Sequence, residues 1–252
     1  MDNLRISTIT SILRISEDIN LKKIYDEIPI SDKYIPFIEY GVGNIPRGFS
    51  EKLLRKKRKQ KPKKIFYNQA TIHVIHDDKI MNVKLFNNGR IQITGLKKET
   101  QSIDLVINLL DYFKDFDIIK EDTKLIDSKI VLINSDFDIG FEINRDILHR
   151  EILNNNIYSS YEPCIYPGVN IKYFINNNNY ENGVCNCSVL CNGKGDGCGD
   201  GRCKKVTVAV FKSGKIIITG GQNISQLEDS YNFIKGFIDA NKDKYQIKEN
   251  TF

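Results

Sequence analysis

Three histidines in 252 residues leave little material for imidazole-based catalysis or for histidine-rich metal sites. His73 and His76 lie three apart in a stretch that reads as a strand, so alternation turns them to opposite faces, and His149 stands alone near a helical run. The chain also lacks a phosphate-cradling glycine loop, a nucleophile elbow and a metal-binding set of carboxylates. These absences exclude the commoner hydrolytic and nucleotide-dependent chemistries, and the protein reads as a non-enzyme with no small-molecule substrate. No apolar run approaches the roughly 18 residues of a membrane-spanning helix, and the opening residues MDNLRISTIT are too polar for a secretory signal. An intracellular, soluble chain with no membrane partner is expected.

The composition that remains is globular, with 40% hydrophobic and 27% charged residues. The net charge of +5 is modest, but its distribution is uneven: most of the excess sits in KLLRKKRKQKPKK, from Lys52 to Lys64. Such a run fits a solvated insert, a phosphate-contacting arm or a nuclear-import signal.

The most informative stretch is VAVFKSGKIIITG, Val208 to Gly220, which reads as a β-hairpin with Ser213-Gly214 at the reversal. VKLFNNGRIQITG, Val83 to Gly95, is a second copy. Phe86 matches Phe211, Gly89 matches Gly214, Arg90 matches Lys215, Thr94 matches Thr219 and Gly95 matches Gly220, each at a separation of 125 residues (211 minus 86). A constant offset across residues of different chemistry marks an internal repeat.

Each hairpin runs on into an amphipathic helix, predicted to present Ile103, Val106, Ile107, Leu110 and Phe113 in the first copy and Leu227, Tyr231, Ile234 and Ile238 in the second. Each is preceded by a strand-like run, Leu4 to Ile15 and Lys129 to Phe141, and a shorter helical run, Leu21 to Ile28 and Ile147 to Leu153. Asn20 is suited to cap the first of these short helices. Two repeats are therefore expected, 1–122 with a basic insertion about 36–66 and 123–252 with a cysteine-rich insertion about 176–203.

SSYEPCIYPG at Ser159 to Gly168 and the Val208 hairpin resemble the TATA-box-binding protein family, whose second repeat carries a Ser-Tyr-Glu-Pro-x-x-Phe-Pro-Gly segment and a Phe-x-Ser-Gly-Lys-x-x-x-Thr-Gly hairpin. LKK at Leu21 and KLIDSKI at Lys124 fit as well. The resemblance covers both repeats apart from the insertions. It implies an α+β fold: a saddle-shaped, pseudo-symmetric tandem repeat with a curved ten-stranded antiparallel sheet and four helices on the convex face. It also implies a transcription initiation factor that binds double-stranded, AT-rich DNA in the minor groove and recruits a transcription factor IIB-like protein and the RNA polymerase machinery. The family is itself the reference case of wedge insertion with duplex bending. The implied location is the nucleus or, for a viral protein, a cytoplasmic viral factory or virion.

Carried over residue by residue, the wedge aromatics of the second repeat fall on Tyr166, followed by Pro167, and on Phe211; in the first repeat Phe86 is kept, while its partner falls near Gln69 unless the register slips to Tyr67 or Phe66. The floor threonines are Thr94 and Thr219, and their groove-facing neighbours are Gln92 and Ile217, where the family has valine. The central positions read Thr8 and Thr10 in one repeat and Leu132 and Asn134 in the other, in place of the family's asparagine and valine. Lys84 stands where the family's floor is apolar. A threonine can hydrogen-bond a base and a leucine cannot, so altered base preference is expected. Arg90, Lys97, Lys172 and Lys215 are the implied phosphate contacts, and Tyr161, Glu162 and Cys164 the implied surface for the partner. Without the resemblance, Phe86 and Phe211 fit core aromatics of a twisted sheet better than a binding role, and the segment at Tyr161 fits an ordinary turn.

Cys185, Cys187, Cys191, Cys198 and Cys203 crowd a glycine-rich loop. No cofactor is required by the function read above, and one structural zinc ion on four of the five, disulfides, or free thiols all fit the spacing. A second functional class stays open beside the first: a protein-interaction scaffold that keeps the saddle without sequence-specific DNA binding.

Overall fold

The computed structural model describes residues 3–54, 66–177 and 183–247. The chain divides into two compact units, Thr8–Val131 and Met1–Ser7 with Leu132–Phe252, the partition falling inside two strands, Arg5–Ile15 and Leu125–Asp138. In chain order the first unit holds β1 (Arg5–Ile15, from Thr8 onward), α1 (Leu21–Glu27), β2 (Phe37–Tyr40), β3 (Arg47–Gly48), α2 (Glu51–Leu54), β4 (Gln69–His76), β5 (Lys79–Phe86), β6 (Arg90–Leu96) and α3 (Gln101–Lys114). The second holds β7 (Leu125–Asp138, from Leu132 onward), α4 (Arg145–Asn154), β8 (Ser159–Ser160), β9 (Val169–Ile175), β10 (Lys204–Val210), β11 (Lys215–Gly221), α5 (Ile224–Asp239) and α6 (Lys242–Tyr245). The strand order is β3-β2-β4-β5-β6-β1 in the first unit and β7-β11-β10-β9-β8 in the second.

The described residues thus form eleven strands rather than the expected ten. Ten correspond as five in each unit, and the eleventh is β3, two residues that add to the outer edge of β2. β2 itself lies inside the stretch expected to be insertion: Phe37–Tyr40 is extended and pairs with β4, as β8 pairs with β9. Beyond the four expected helices, α2 and α6 are four-residue additions.

In every long strand, alternation decides the core. Ile9, Leu13, Ile72, Val74, Met81, Val83, Leu85, Ile91 and Ile93 are buried in the first unit, and Ile171, Val206, Val208, Val210, Ile216 and Ile218 in the second. The helices close on that face. Asparagines cap them: Asn20 Oδ1 accepts from Lys23 N, Asn144 Oδ1 from Ile147 N and Asn223 Oδ1 from Gln226 N. The buried face of α5 is Leu227, Tyr231, Ile234 and Ile238, as the periodicity predicts. That of α3 is rotated from the expected one, with Leu105, Val106, Leu109, Leu110 and Phe113 buried and Ile103 and Ile107 exposed. Isoleucines at both positions mask the stripe, because exposed and buried sides of α3 are both apolar there.

A device that alternation does not announce recurs at the start of each long helix. The buried Gln101 accepts from the backbone N–H groups of Lys97 and Lys98, and the buried Gln226 accepts from that of Gln222. Each glutamine ties the exit of the hairpin to the first turn of the helix.

The hairpin glycines show why the repeat is strict. Gly89 and Gly214 adopt φ of 76° and 82°, and a Cβ on either would collide with a carbonyl oxygen, that of Glu17 in the first unit and that of Phe141 in the second. In both units the reversal lies against the chain leaving the first strand, and only hydrogen fits between. Gly214→Ala is expected to destabilise the protein by about 2–3 kcal/mol. Gly236→Ala, on the open surface of α5, is expected to stabilise it by about 0.5–1 kcal/mol, with nothing within 4 Å of the new methyl. Urea unfolding of the two variants side by side checks both signs.

Candidate nucleic-acid interface

The strand faces turned away from the helices carry most of the DNA-contacting residues expected from the sequence, and ladder register arranges them in rows. In the first unit one row runs Thr10, Thr94, Asn82, His73 and Phe37, and the next Ile12, Gln92, Lys84, Thr71 and Glu39. A third joins Arg14 with Arg90, and Phe86 with Gln69. Thr10 and Thr94 hydroxyls are 3.4 Å apart, Asn82 Nδ2 lies 3.2 Å from His73 Nε2, and the His73 and Phe37 rings are 4.8 Å apart. His73 is buried, so it is a packed member of this row rather than a metal ligand.

In the second unit the rows are Asn134, Thr219, Thr207, Lys172, then Asp136, Ile217, Ala209, Asn170, then Asp138 with Lys215. Phe211 follows β10, and its ring meets Tyr166 at 5.7 Å between centroids and 63° between planes. A Cβ on Gly168 would lie 3.0 Å from Tyr166 and 3.2 Å from Phe211, so the glycine lets the two rings stand over the backbone. Pro167 is held through its carbonyl oxygen, which accepts from Arg145. Thr8 and Leu132 continue the displayed faces of β1 and β7.

The first unit has no matching ring pair on the residue expected. Gln69 is the partner of Phe86 in the ladder. Register nevertheless supplies an aromatic: Tyr166 precedes Val169 by three residues (169 minus 166), and Tyr67 precedes Ala70, the equivalent of Val169, by three (70 minus 67). Tyr67 is 79% exposed. Counting from the ladder rather than from the motif finds it.

The expected phosphate contacts divide. Arg90 and Lys215 are exposed at the starts of β6 and β11, and Lys97 is exposed in the turn before α3. Lys172 instead lies along the floor, its Nζ donating to Asn170 Oδ1 and Thr207 Oγ1, both at 3.0 Å. Its pKa is lowered, first by burial and then by Lys205. Asn134 Oδ1 is buried in the same row with no hydrogen-bond partner among the described residues. From residue 55 to 65 the basic run lies outside the described residues.

At the edge of the second unit, Arg145 stacks over the Tyr161 ring at 5.2 Å, and His149 Nδ1 is 2.9 Å from Ser159 Oγ. Glu162, Cys164 and Ile165 are exposed beside them.

The cysteine-rich connection between β9 and β10 brings four thiols together. The sulfurs of Cys185, Cys187, Cys191 and Cys203 all lie within 4.8 Å of one another, with Cys187–Cys203 at 3.2 Å and Cys185–Cys203 at 3.7 Å. Four thiolates around zinc at ~2.3 Å stand about 3.8 Å apart, so the set fits a tetrahedral ion. Cys198 is exposed and outside the group, its N–H donating to Asp196 Oδ1, and Cys164 belongs to the edge described above. All six cysteines are unbridged. Burial pushes the Cys203 thiol well up, the neighbouring thiols adding to it. For Cys191, burial is outweighed by the N–H groups of Gly193 and Cys203, and its pKa falls.

Comparisons with known proteins converge on one family. Residues 127–239 match the family model described as "Transcription factor TFIID (or TATA-binding protein, TBP)". A "TATA-box-binding protein-like" protein of Acanthamoeba polyphaga mimivirus is 28% identical over 254 aligned residues, covering 92% of this chain; the chain spans 64% of that relative's length. The structure of Methanococcus jannaschii TBP superposes with a TM-score of 0.52 at 18% identity, over 96% of this chain and 99% of that one, which establishes the fold. Residues 127–239 thus carry that family's sequence pattern, and the two-repeat fold is the family's. As a whole the chain is similar to TATA-box-binding-protein-like proteins. Among the described residues no helix is long and apolar enough to cross a membrane.

The lowered pKa of Lys172 sets a pH dependence. Between its folded pKa and 10.5 the unfolded chain binds more protons than the folded one, so stability rises with pH across that window. In urea titrations from neutral pH to 10.5, wild type is expected to gain on Lys172→Met as pH rises; a constant difference would place the ammonium in water.

Proposed function

We propose that this protein is a transcription initiation factor that binds AT-rich duplex through its minor groove and bends it, and that it recruits a transcription factor IIB-like partner. The observation that carries the reading is the Tyr166–Phe211 pair standing on the strand face opposite the helices, where apolar rings have no structural use and a base step has. Threonines, asparagine and glutamine in the adjoining rows supply donors for the acceptors of A·T pairs, and Arg90 and Lys215 supply charge for phosphates. Tyr67 serves with Phe86 as the wedge pair of the first repeat. The partner surface is the edge at Tyr161, Glu162 and Cys164, stiffened by Arg145.

Energy transfer between dyes at the ends of AT-rich and GC-rich duplexes tests this. Wild type is expected to shorten the AT-rich duplex, and Phe211→Ala with Tyr166→Ala to lose the bend and about tenfold or more in affinity while remaining folded. Weak, unbent, sequence-blind binding that disappears with salt would favour the scaffold reading. That alternative draws on the carboxylates of Asp136 and Asp138 beside the wedge, which repel phosphates.

The cysteine connection is proposed to hold one zinc ion on Cys185, Cys187, Cys191 and Cys203, with Cys198 spare. Zinc would supply no chemistry to DNA binding; it would close the connection between β9 and β10. Metal analysis of the purified protein is expected to give one equivalent, retained in Cys198→Ser and lost in Cys203→Ser. Full thiol titration without metal release would refute it.

A further inference from the structure

The second unit carries a charge where a minor-groove surface has least use for one. Asp136 stands on the displayed face of β7, in register with Ile217 of β11, two residues from Asn134. Its equivalent in the first unit, by register, is Ile12 opposite Gln92. Asp136 borders a groove of about 950 Å³ whose other walls include Arg5, Ser7, Phe211, Lys215 and Ile217, so it lies beside the wedge. Arg5 approaches from the start of β1 and donates from Nε at 3.2 Å and from Nη2 at 2.7 Å. Both donors go to the same oxygen, Oδ2, which leaves Oδ1 outside the pair.

A carboxylate only accepts hydrogen bonds. The floor of the minor groove offers acceptors at A·T and T·A pairs, and the one donor it ever presents is the 2-amino group of guanine. Against an A·T pair, Asp136 would be stripped of water and face further lone pairs, an uncompensated cost. Against a G·C pair, the amino group donates to Oδ1, while the guanidinium of Arg5 answers the neighbouring purine N3 or pyrimidine O2. Acceptor and donor stand side by side on the protein in the pattern a G·C pair presents.

We propose that Asp136, positioned by Arg5, reads a guanine amino group, so that the preferred site contains one G·C pair under the second repeat within an otherwise A·T-rich stretch. The proposal rests on the minor-groove reading above and adds to it a base that the first repeat does not select, because Ile12 has no acceptor to offer. Asp136 here is a specificity-determining residue, and Arg5 both neutralises its charge and fixes which oxygen is left for the base.

The test isolates the amino group. In a series of duplexes bound by the full chain and measured by fluorescence anisotropy, each A·T pair in turn is replaced by 2,6-diaminopurine·T, which adds only the minor-groove amino group. Each G·C pair is replaced by inosine·C, which removes only that group. Wild type is expected to bind about tenfold more tightly when the amino group stands at one particular position, and about tenfold less tightly when inosine replaces guanine there. Asp136→Ser is expected to bind all members of the series alike, and Ile12→Val to leave the preference unchanged. An amino group that weakens binding at every position would overturn the proposal, and that wild-type series decides even where Asp136→Ser does not fold. A preference that survives in folded Asp136→Ser would overturn the assignment to this residue. Failure to bind the parent A·T duplex at all would overturn the minor-groove reading itself, and this proposal with it; tight binding to the parent without a selected position sinks the proposal alone.

Discussion

The two-residue period of the extended chain is the constraint on which everything else in this protein depends. Once Ile9 and Leu13, or Val208 and Val210, are committed to the helices, their neighbours Thr8, Thr10, Thr207 and Ala209 have no choice but the other face. Burial of one set of side chains therefore displays the other set, at ladder spacing and in fixed order. Helix caps, hairpin glycines and the paired glutamines Gln101 and Gln226 all serve to hold that register, since a slip of one residue would exchange the two faces.

Much of this is legible in the amino-acid sequence because the repeat makes the chain its own comparison. The offset of Phe86 to Phe211 locates both hairpins, and alternation together with the family resemblance assigns Thr10, Gln92, Asn134 and Ile217 to the displayed faces. What escapes a linear reading does so for physical reasons. The choice of Tyr67 over Gln69 and Phe66 is left open because a motif is counted along the chain, whereas a strand pairs by ladder, and the ladder begins at Gln69. Two exposed isoleucines displace the apparent stripe of α3. β2 resembles insertion because four residues between proline and glycine carry too short a pattern. Lys172 reads as a rim cation, and only the positions of Asn170 and Thr207 show its ammonium on the floor. The choice of Cys185, Cys187, Cys191 and Cys203 over Cys198 needs three dimensions, since their spacing is irregular.

The repeats preserve shape more faithfully than chemistry. Backbone features recur closely: the glycine against the outgoing strand, the asparagine caps, the glutamine at the helix start. The displayed faces have diverged, with Ile12 against Asp136, Arg14 against Asp138, Lys84 against Ala209 and His73 against Lys172 at equivalent register. Selection on packing constrains both copies alike, because each must bury the same core. The displayed faces bury no shared core, so each copy is free to diverge there.

The connections inside the two central hairpins also differ, and this bears on how the protein reaches its fold. β4 and β5 are joined through Asp77 and Asp78, both at positive φ, a turn whose twist suits the strands it links. β9 and β10 are separated by residues 176–203. Each doubling of a loop adds roughly 0.6 kcal/mol of closure entropy, so the second pairing begins with a handicap of about 2 kcal/mol. By loop entropy alone the β4–β5 pairing is the more local of the two, and the β9–β10 pairing the longer-range encounter. The proposed clasp of four sulfurs around one ion would shorten that loop before the strands have met. With that ion bound as proposed, the same residues that look like an interruption of the sheet would make assembly of its later half responsive to the supply of metal.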